Sequence, residues 1–253
     1  MRPELNIFSQ AFAAIVACWR YFFGLVAAIY VLETVSVLFD LGTGLTIARA
    51  FVEAGTVFYL CASLLGLDLK SKETSKKYTG FMIRYILLLY LPVFVVAMVV
   101  VFGAMATSAG GLLDQEFFLV VMFLTGGGVA FLTTFLFGTV FPAHLIGVGA
   151  GIGTAVGRSI RQAGYMLPRL LFGAGSIAGL GFVILIFFEN IGIGSDPITP
   201  AGAPNILGGL VLLLVKLLVG YSFAVFSVIV CRAYLKDVEE RGELPVAEAD
   251  VFA

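Results

Sequence analysis

Six apolar stretches, each about as long as a membrane-crossing helix, constrain this chain more than any other feature. A helix needs about 20 residues to span the roughly 30 Å hydrocarbon core of a bilayer. Such stretches occupy residues 21–39, 45–65, 81–105, 117–143, 170–188 and 207–231. Because 60% of the 253 residues are hydrophobic and only 12% are charged, polar surface is too scarce to cover a soluble protein of this size. The sequence predicts an all-α polytopic membrane bundle with six transmembrane helices.

Lysine and arginine fall on one side of this predicted topology. Five of them lie around the connection between the second and third spans: Lys70, Lys72, Lys76, Lys77 and Arg84. If the N-terminus is cytoplasmic, none of the fifteen cations lies in an outer loop, and only Arg49 and Lys216 lie within spans. Since basic loops are retained in the cytoplasm, we predict that both termini are cytoplasmic. The chain has no N-glycosylation sequon, which fits a bacterial inner membrane.

Two amphipathic basic segments are predicted to lead into spans. Residues 5–20 precede the first span and residues 153–169 precede the fifth, where Arg158, Arg161 and Gln162 share a polar side. We interpret both as helices lying at the cytoplasmic interface. The loops are too short to form another domain, so we divide the chain into a single transmembrane domain, residues 1–236, and a charged cytoplasmic tail, residues 237–253.

Small residues recur every four positions in two of the spans. The rows are Gly126, Ala130, Thr134 and Gly138 in the fourth span, and Gly175 and Gly179 in the fifth. Such rows let helix backbones approach closely within a bilayer, so we predict that they are helix-packing surfaces. Pro92 is predicted to kink the third span, because proline removes a backbone hydrogen-bond donor.

Ionisable side chains within the spans are the candidate functional residues, since each costs about 2.5–3.5 kcal/mol to insert. They are Glu33, Arg49, Glu53 and Lys216. A short turn joins the first two spans, so an antiparallel hairpin places Glu33 level with Arg49 and Glu53. In one interpretation Arg49 neutralises both carboxylates as a structural clasp. In the other, one carboxylate pairs with Lys216 in a buried site for a proton, an ion or an anionic ligand.

No catalytic or cofactor motif accompanies these charges. The only histidine, His144, has no second histidine, cysteine or carboxylate at metal-ligand spacing. The glycine-rich residues 147–157 are not followed by the Gly-Lys-Ser/Thr of a phosphate-binding loop. We therefore predict no catalytic residue, no metal, no cofactor and no nucleic-acid partner, and the sequence favours a protein that is not an enzyme.

Two segments carry a resemblance to known membrane families. They are the stretch from Arg158 to Arg169, with Pro168, and the stretch from Tyr221 to Lys236, which contains CRAYLK. In these the chain resembles the YciC-like six-span bacterial membrane proteins and the membrane domain of some glycerophosphodiester phosphodiesterases. The resemblance implies a type of fold and supplies no active site, since these families have no established catalytic residues in the membrane part.

Two functions follow as expectations. The first is a non-catalytic accessory or scaffold subunit that binds partner helices or lipids, because close-packing surfaces are abundant and chemistry is absent. Its partners would be the bilayer and another membrane protein or a second copy of the chain. The alternative is a small transporter or channel subunit that uses Lys216 with Glu33 or Glu53.

Overall fold

A computed structural model describes residues 6–39, 45–108, 115–199 and 203–243, and almost all of them are helical. The helices are α1 (Ile7–Ala17), α2 (Trp19–Leu38), α3 (Thr46–Leu64), α4 (Lys72–Tyr85), α5 (Leu91–Ser108), α6 (Gln115–Phe137), α7 (Val140–Ile146), α8 (Ile152–Arg161), α9 (Ala163–Arg169), α10 (Ser176–Asn190) and α11 (Ile206–Glu240). Within these residues, six helical segments are long and apolar enough to cross a membrane: α2, α3, α4 with α5, α6 with α7, α9 with α10, and α11. The predicted all-α polytopic bundle is confirmed.

Helix α11 is the centre of the bundle. Its 35 residues extend about 52 Å, well beyond the thickness of a hydrocarbon core. It packs against α1, α2, α3 and α10, and its second half is almost wholly buried, as at Val225, Ile229 and Tyr234. Gly220 allows a close approach of α2, because a Cβ there would lie 2.8 Å from Cζ of Phe22. The apolar core therefore surrounds the second half of α11.

Contacts along α11 show the direction of its neighbours. Phe22, near the start of α2, lies beside Gly220, whereas Tyr30 lies beside Gly209, so α2 runs antiparallel to α11. The fifth span also runs antiparallel, since Gly173 lies beside Val225 and the later Gly181 lies beside Val215. The spans that begin with α2 and α9 therefore start at the same end of the bundle, next to the second half of α11.

The basic start of the third span lies at this end too. The hydroxyl of Tyr234 donates to the carbonyl of Val148 at 3.1 Å, and the ammonium of Lys77 donates to the nearby carbonyl of Leu145 at 2.5 Å. We call this end, formed by the starts of α2, α4 and α9 and by the second half of α11, the cationic end. The basic segments that the predicted topology placed on one side thus lie at one end of the bundle.

Two spans contain a short π-helical segment next to a proline. Residues Ile86–Tyr90 form one just before Pro92, and residues Leu170–Gly175 form the other just after Pro168. A π-helical turn leaves backbone groups without their usual helical partners. In the fifth span the hydroxyl of Ser222 donates to the carbonyl of Ala174 at 2.8 Å. Each proline therefore coincides with a local change in helix geometry.

Several predicted boundaries differ from the structure. The lead-in predicted over 153–169 is two helices, α8 and α9, and the first lead-in ends at Ala17. The basic connection is largely helical from Lys72 onward, because the hydroxyl of Ser71 accepts from the amide of Thr74 at 3.1 Å and caps α4. Helix α11 continues past the boundary proposed before Asp237, to Glu240, and residues 244–253 of the predicted tail lie outside the described residues.

Candidate functional site

Glu33 joins three spans through two ion pairs. Its Oε2 lies 2.5 Å from Nη2 of Arg49 on α3, and its Oε1 lies 2.7 Å from Nζ of Lys216 on α11. The hairpin of α2 and α3 accounts for the first contact, because Glu33 is near the end of α2 and Arg49 is in the first turn of α3. The second contact depends on α2 packing antiparallel to α11. One carboxylate therefore forms ion pairs with two cations from different helices.

These charges are shielded but not fully enclosed. The side chains of Arg49, Glu33 and Lys216 are 29%, 18% and 21% exposed. Lys216 is the eleventh residue of α11, about 15 Å along the helix from its start, which is near half the depth of a hydrocarbon core. At that depth an uncompensated ammonium is costly. The pairing with Glu33, which Lys216 shares with Arg49, offsets part of this cost.

Glu53 has a different environment. Its Oε2 accepts a hydrogen bond from the hydroxyl of Tyr90. Arg49 is one helical turn away and was predicted to neutralise Glu53 as well as Glu33, but within the described residues no cation lies within 4.0 Å of the Glu53 carboxylate. The difference arises because Glu33, on the facing helix, takes the guanidinium of Arg49.

Tyr90 is the member of this cluster that sequence reasoning missed. It is the last residue of the π-helical segment Ile86–Tyr90, and its ring lies 6.1 Å from that of Tyr85. The signal available in the sequence was a tyrosine two positions before Pro92 in an otherwise apolar span. Hydropathy does not reveal which way the side chain points, so the contact with Glu53 needed the structure. We define Glu33, Arg49, Glu53, Lys216 and Tyr90 as the intramembrane cluster.

The small-residue rows are used unevenly. Gly138 lets the backbone of the fourth span approach α11 closely, since a Cβ there would lie 2.7 Å from Cγ1 of Val230. A Cβ at Gly126 or Gly179 would meet nothing within 4 Å among the described residues, and one at Gly175 would meet only the backbone of Leu170. Among the described residues, Gly126 and Gly179 are therefore not at a close contact between helices, and their role as helix-packing surfaces stays a prediction. Their four-residue spacing defines a helix face without saying whether that face turns toward another helix.

Ala130 and Thr134, the other two members of the fourth-span row, are partly buried. They lie between Gly126 and Gly138. A Cβ at Gly126 would meet nothing within 4 Å among the described residues, whereas Gly138 packs closely against α11. The row therefore enters the core only at its Gly138 end. This change along the row follows from helix geometry, since each four-residue step turns by about 40° around the helix axis and Gly126 therefore lies about 120° from Gly138.

A second group of charges lies at the cationic end. Asp237 of α11 binds Arg158 at 3.2 Å and Arg161 at 2.8 Å, both on α8, and lies 3.5 Å from Arg241. The Arg158 guanidinium also lies 4.7 Å from the ring centroid of Tyr234 and donates to a backbone carbonyl at 3.3 Å. The side chains of Arg158 and Asp237 are 0% and 2% exposed. These contacts attach α8 to α11.

The two arginines of α8 respond differently to this environment. Burial lowers the pKa of Arg158, and its hydrogen bond to Asp237 opposes that effect. Arg161 is more exposed, and its hydrogen bond to Asp237 raises its pKa. Both remain cations, since arginine does not lose its proton in proteins. Sequence reasoning grouped Arg158 and Arg161 on one helix face but missed Asp237, which lies 79 residues from Arg158.

His144 is held between one basic side chain and a backbone carbonyl. Its Nδ1 contacts the guanidinium of Arg84, and its Nε2 lies 3.1 Å from the carbonyl oxygen of Lys77. A Cβ added at Gly80 would lie 3.0 Å from Nε2, so the imidazole packs tightly against α4. Across the described residues, no group of three or more histidine, cysteine or carboxylate side chains is placed to hold a metal ion.

Two cavities lie outside the intramembrane cluster. One, of about 270 Å³, is lined by side chains that include Leu25, Tyr78 and Met82. The other, of about 310 Å³, lies between Tyr30 and the first turns of α11 near Pro197. Neither is lined by a charged side chain. Both therefore offer apolar surface and no charged group for an ionic solute.

The protein is accordingly a polytopic membrane bundle in which four intramembrane charges and a tyrosine meet between α2, α3, α11 and the π-helical part of the third span. The structure brings Glu33, Arg49 and Lys216 into direct contact and attaches Glu53 to Tyr90 instead. Comparisons with protein-family models, curated proteins and solved structures give no significant match to this chain.

Proposed function

We propose that this protein is a non-catalytic accessory or scaffold subunit that binds the transmembrane helices of a partner protein. The observation that carries the proposal is that Glu33 holds both cations of the spans, Arg49 at 2.5 Å and Lys216 at 2.7 Å. An anionic solute would have to displace this carboxylate before it reached either cation. These two ion pairs tie α2, α3 and α11 into one unit.

The outward glycines supply a surface for such a partner. Gly175 and Gly179 are exposed on the fifth span, and Gly126 on α6 has no side-chain neighbour that a Cβ would meet. In lipid, helices associate by van der Waals packing where small residues let backbones approach. These glycines are not used for packing among the described residues, so the same surface remains available to a helix from another chain.

The charge distribution supports an orientation for this scaffold. The starts of α2, α4 and α9 gather at the cationic end, and basic segments are retained in the cytoplasm. We accordingly place the cationic end in the cytoplasm of a bacterial cell, with the bundle in the inner membrane. A cysteine-accessibility assay on an exposed residue such as Lys72, substituted by cysteine, tests this placement.

Gly179→Leu is expected to abolish partner binding without loss of folded protein. The added side chain meets nothing within 4 Å among the described residues, so the fold tolerates it, whereas a partner helix can no longer approach the backbone. The measurement is mass spectrometry of the protein in native lipid particles at endogenous expression, with quantification of copurifying chains. A stoichiometric partner is expected for the unmodified protein and is expected to be lost in the variant.

Gly138→Leu is the matched control for this experiment. A Cβ at Gly138 would lie 2.7 Å from Cγ1 of Val230, so we expect this variant to lose folded protein through overpacking. Isolation of the unmodified chain without any stoichiometric partner would contradict the scaffold proposal. Retention of the partner in Gly179→Leu would place the interface on another face.

A second candidate function is transport of a proton or ion. It is favoured by the position of Tyr90 in a π-helical segment, a feature that often occurs at functional sites, together with its hydrogen bond to the membrane-embedded Glu53. In this case the contact between Lys216 and Glu33 would open during the transport cycle. The protein would then be a small transporter or channel subunit.

Lys216→Met separates the two candidates. If the protein is a transporter, this variant abolishes flux, while folded protein falls little because Glu33 keeps its 2.5 Å contact with Arg49. The measurement is the proton flux of liposomes with an entrapped pH-sensitive dye under an imposed ion gradient. Flux of the unmodified protein equal to that of empty liposomes would contradict transport.

A further inference from the structure

Five exposed cations at the cationic end lack an acidic partner among the described residues. They are Arg20, Lys70, Lys72, Lys76 and Arg169. By contrast, the arginines of α8 are paired with Asp237. Unpaired cations next to membrane-spanning helices attract anionic groups at the bilayer surface. This end of the bundle therefore has a positive surface that its own carboxylates do not neutralise.

Two of these cations have the same local geometry. The guanidinium of Arg20 lies 5.4 Å from the ring centroid of Trp19, and that of Arg169 lies 4.3 Å from the ring centroid of Tyr165. Each pair stands near the start of a membrane-spanning helix that follows a lead-in helix, α1 in one case and α8 in the other. Tryptophan and tyrosine in such positions lie at the level of lipid headgroups.

The lead-in helix α1 turns its apolar face outward. Of its two polar side chains, the larger, Gln10, is buried and accepts a hydrogen bond from Arg232 at 2.8 Å. The smaller, Ser9, is exposed, and Phe12 and Val16 are more than half exposed. An interfacial helix on a bilayer usually turns its polar face to water. Here the larger polar side chain faces the protein, so the outward face continues the apolar surface of α2.

Helix α8 shows the same reversal. Arg158 and Ser159 are fully buried, whereas Ile152 and Ile160 are more than half exposed. In the fifth span, Leu171 and Phe172 are also exposed. Acyl chains cover such a surface without a hydrogen-bonding penalty. An acidic protein segment would pair with the cations but would leave these apolar faces uncovered.

We propose that Arg20 and Arg169 bind the headgroups of anionic phospholipids, whose acyl chains lie against the outward faces of α1 and α8. This site is distinct from the helix-packing surface of the scaffold proposal and stands or falls separately from it. Each arginine contributes electrostatic attraction that corresponds to about a fivefold preference for an anionic over a zwitterionic lipid. The aromatic ring beneath each guanidinium orients it toward the headgroup layer.

Trp19 makes the test direct, because it is the only tryptophan of the chain. The full-length protein is reconstituted in mixed vesicles in which brominated acyl chains are carried by either phosphatidylglycerol or phosphatidylcholine. Bromine quenches tryptophan fluorescence on contact, so the ratio of quenching by the two lipids measures their relative occupancy beside Trp19. We expect about fivefold enrichment of the anionic lipid at low salt, and we expect salt to reduce it.

Arg20→Gln is expected to bring this ratio close to one, and Arg169→Gln is the matched control that leaves quenching at Trp19 unchanged. To measure the second position, Trp19→Phe and Tyr165→Trp are introduced together, so that the tryptophan stands beside Arg169. In that protein Arg169→Gln is expected to bring the ratio close to one, and Arg20→Gln is the control. Equal quenching by both lipids in the unmodified protein would overturn the proposal. A preference that persists in Arg20→Gln, or copurification of an acidic protein that depends on Arg20, would overturn it as well.

Discussion

Asp237→Ala is expected to remove most of the folded protein, with a loss of about 3–5 kcal/mol in the free energy of unfolding. The reason is that Arg158, whose side chain has no exposed surface, depends on Asp237 for its charged partner at 3.2 Å. An arginine left in that position without a carboxylate keeps its charge in a place that water does not reach. Since native proteins are stable by about 5–15 kcal/mol, such a loss is a large fraction of the total.

The measurement is the fraction of protein that remains monodisperse by size-exclusion chromatography after heating in detergent. The control is the double variant Arg158→Met with Asp237→Leu, which removes both charges and fills a similar volume. Replacing a buried ion pair by apolar residues is often neutral or stabilising, so we expect this variant to recover most of the loss. An Asp237→Ala protein with an unchanged melting temperature would show that α8 is held by other contacts.

Glu33→Gln is expected to destabilise the bundle more than Lys216→Met does. Glu33 is the shared partner of two cations, so its replacement leaves both Arg49 and Lys216 without the carboxylate that each contacts. Lys216→Met removes one cation and preserves the other pair. The three side chains are 18–29% exposed, so water screens them in part. We therefore expect Glu33→Gln to lower the free energy of unfolding by about 2–3 kcal/mol, less than the loss of a fully buried ion pair.

The melting temperatures of the two single variants and of Glu33→Gln with Lys216→Met form a double-mutant cycle. We expect the double variant to be more stable than Glu33→Gln alone, because it no longer leaves an unpaired ammonium near the middle of the membrane. Additive losses would mean that Glu33 and Lys216 are not coupled in the folded protein. The same cycle with Arg49→Leu in place of Lys216→Met measures the coupling between Glu33 and Arg49.

Glycine rows illustrate what local sequence leaves undecided. Gly126 and Gly138 belong to one four-residue row but lie about 120° apart around the helix axis. Gly138 is pressed against Val230, whereas a Cβ at Gly126 would meet nothing within 4 Å among the described residues. Spacing determines which residues share a helix face, and packing determines which face turns inward. The scaffold proposal depends on this difference, because only an unused glycine is free to receive a partner helix.

The predicted charge cluster was likewise recognisable only in part. Glu33 and Arg49 were expected to lie level, because a short connection forces the first two spans into an antiparallel hairpin. The contact between Glu33 and Lys216 joins residues 183 positions apart, and the hydrogen bond to Glu53 comes from Tyr90, the last residue of a π-helical segment. Neither follows from hydropathy or spacing.

By itself, the sequence determined that this chain forms six membrane-crossing helices, since the length and apolar character of each stretch are local properties that the bilayer selects. It also showed which residues carry charge into the spans. Only the tertiary structure decided that Glu33 holds two cations, that Asp237 anchors α8, and that α1 and α8 turn their apolar faces outward. These depend on the rotation and relative position of helices distant in sequence, which are set by side-chain packing around α11.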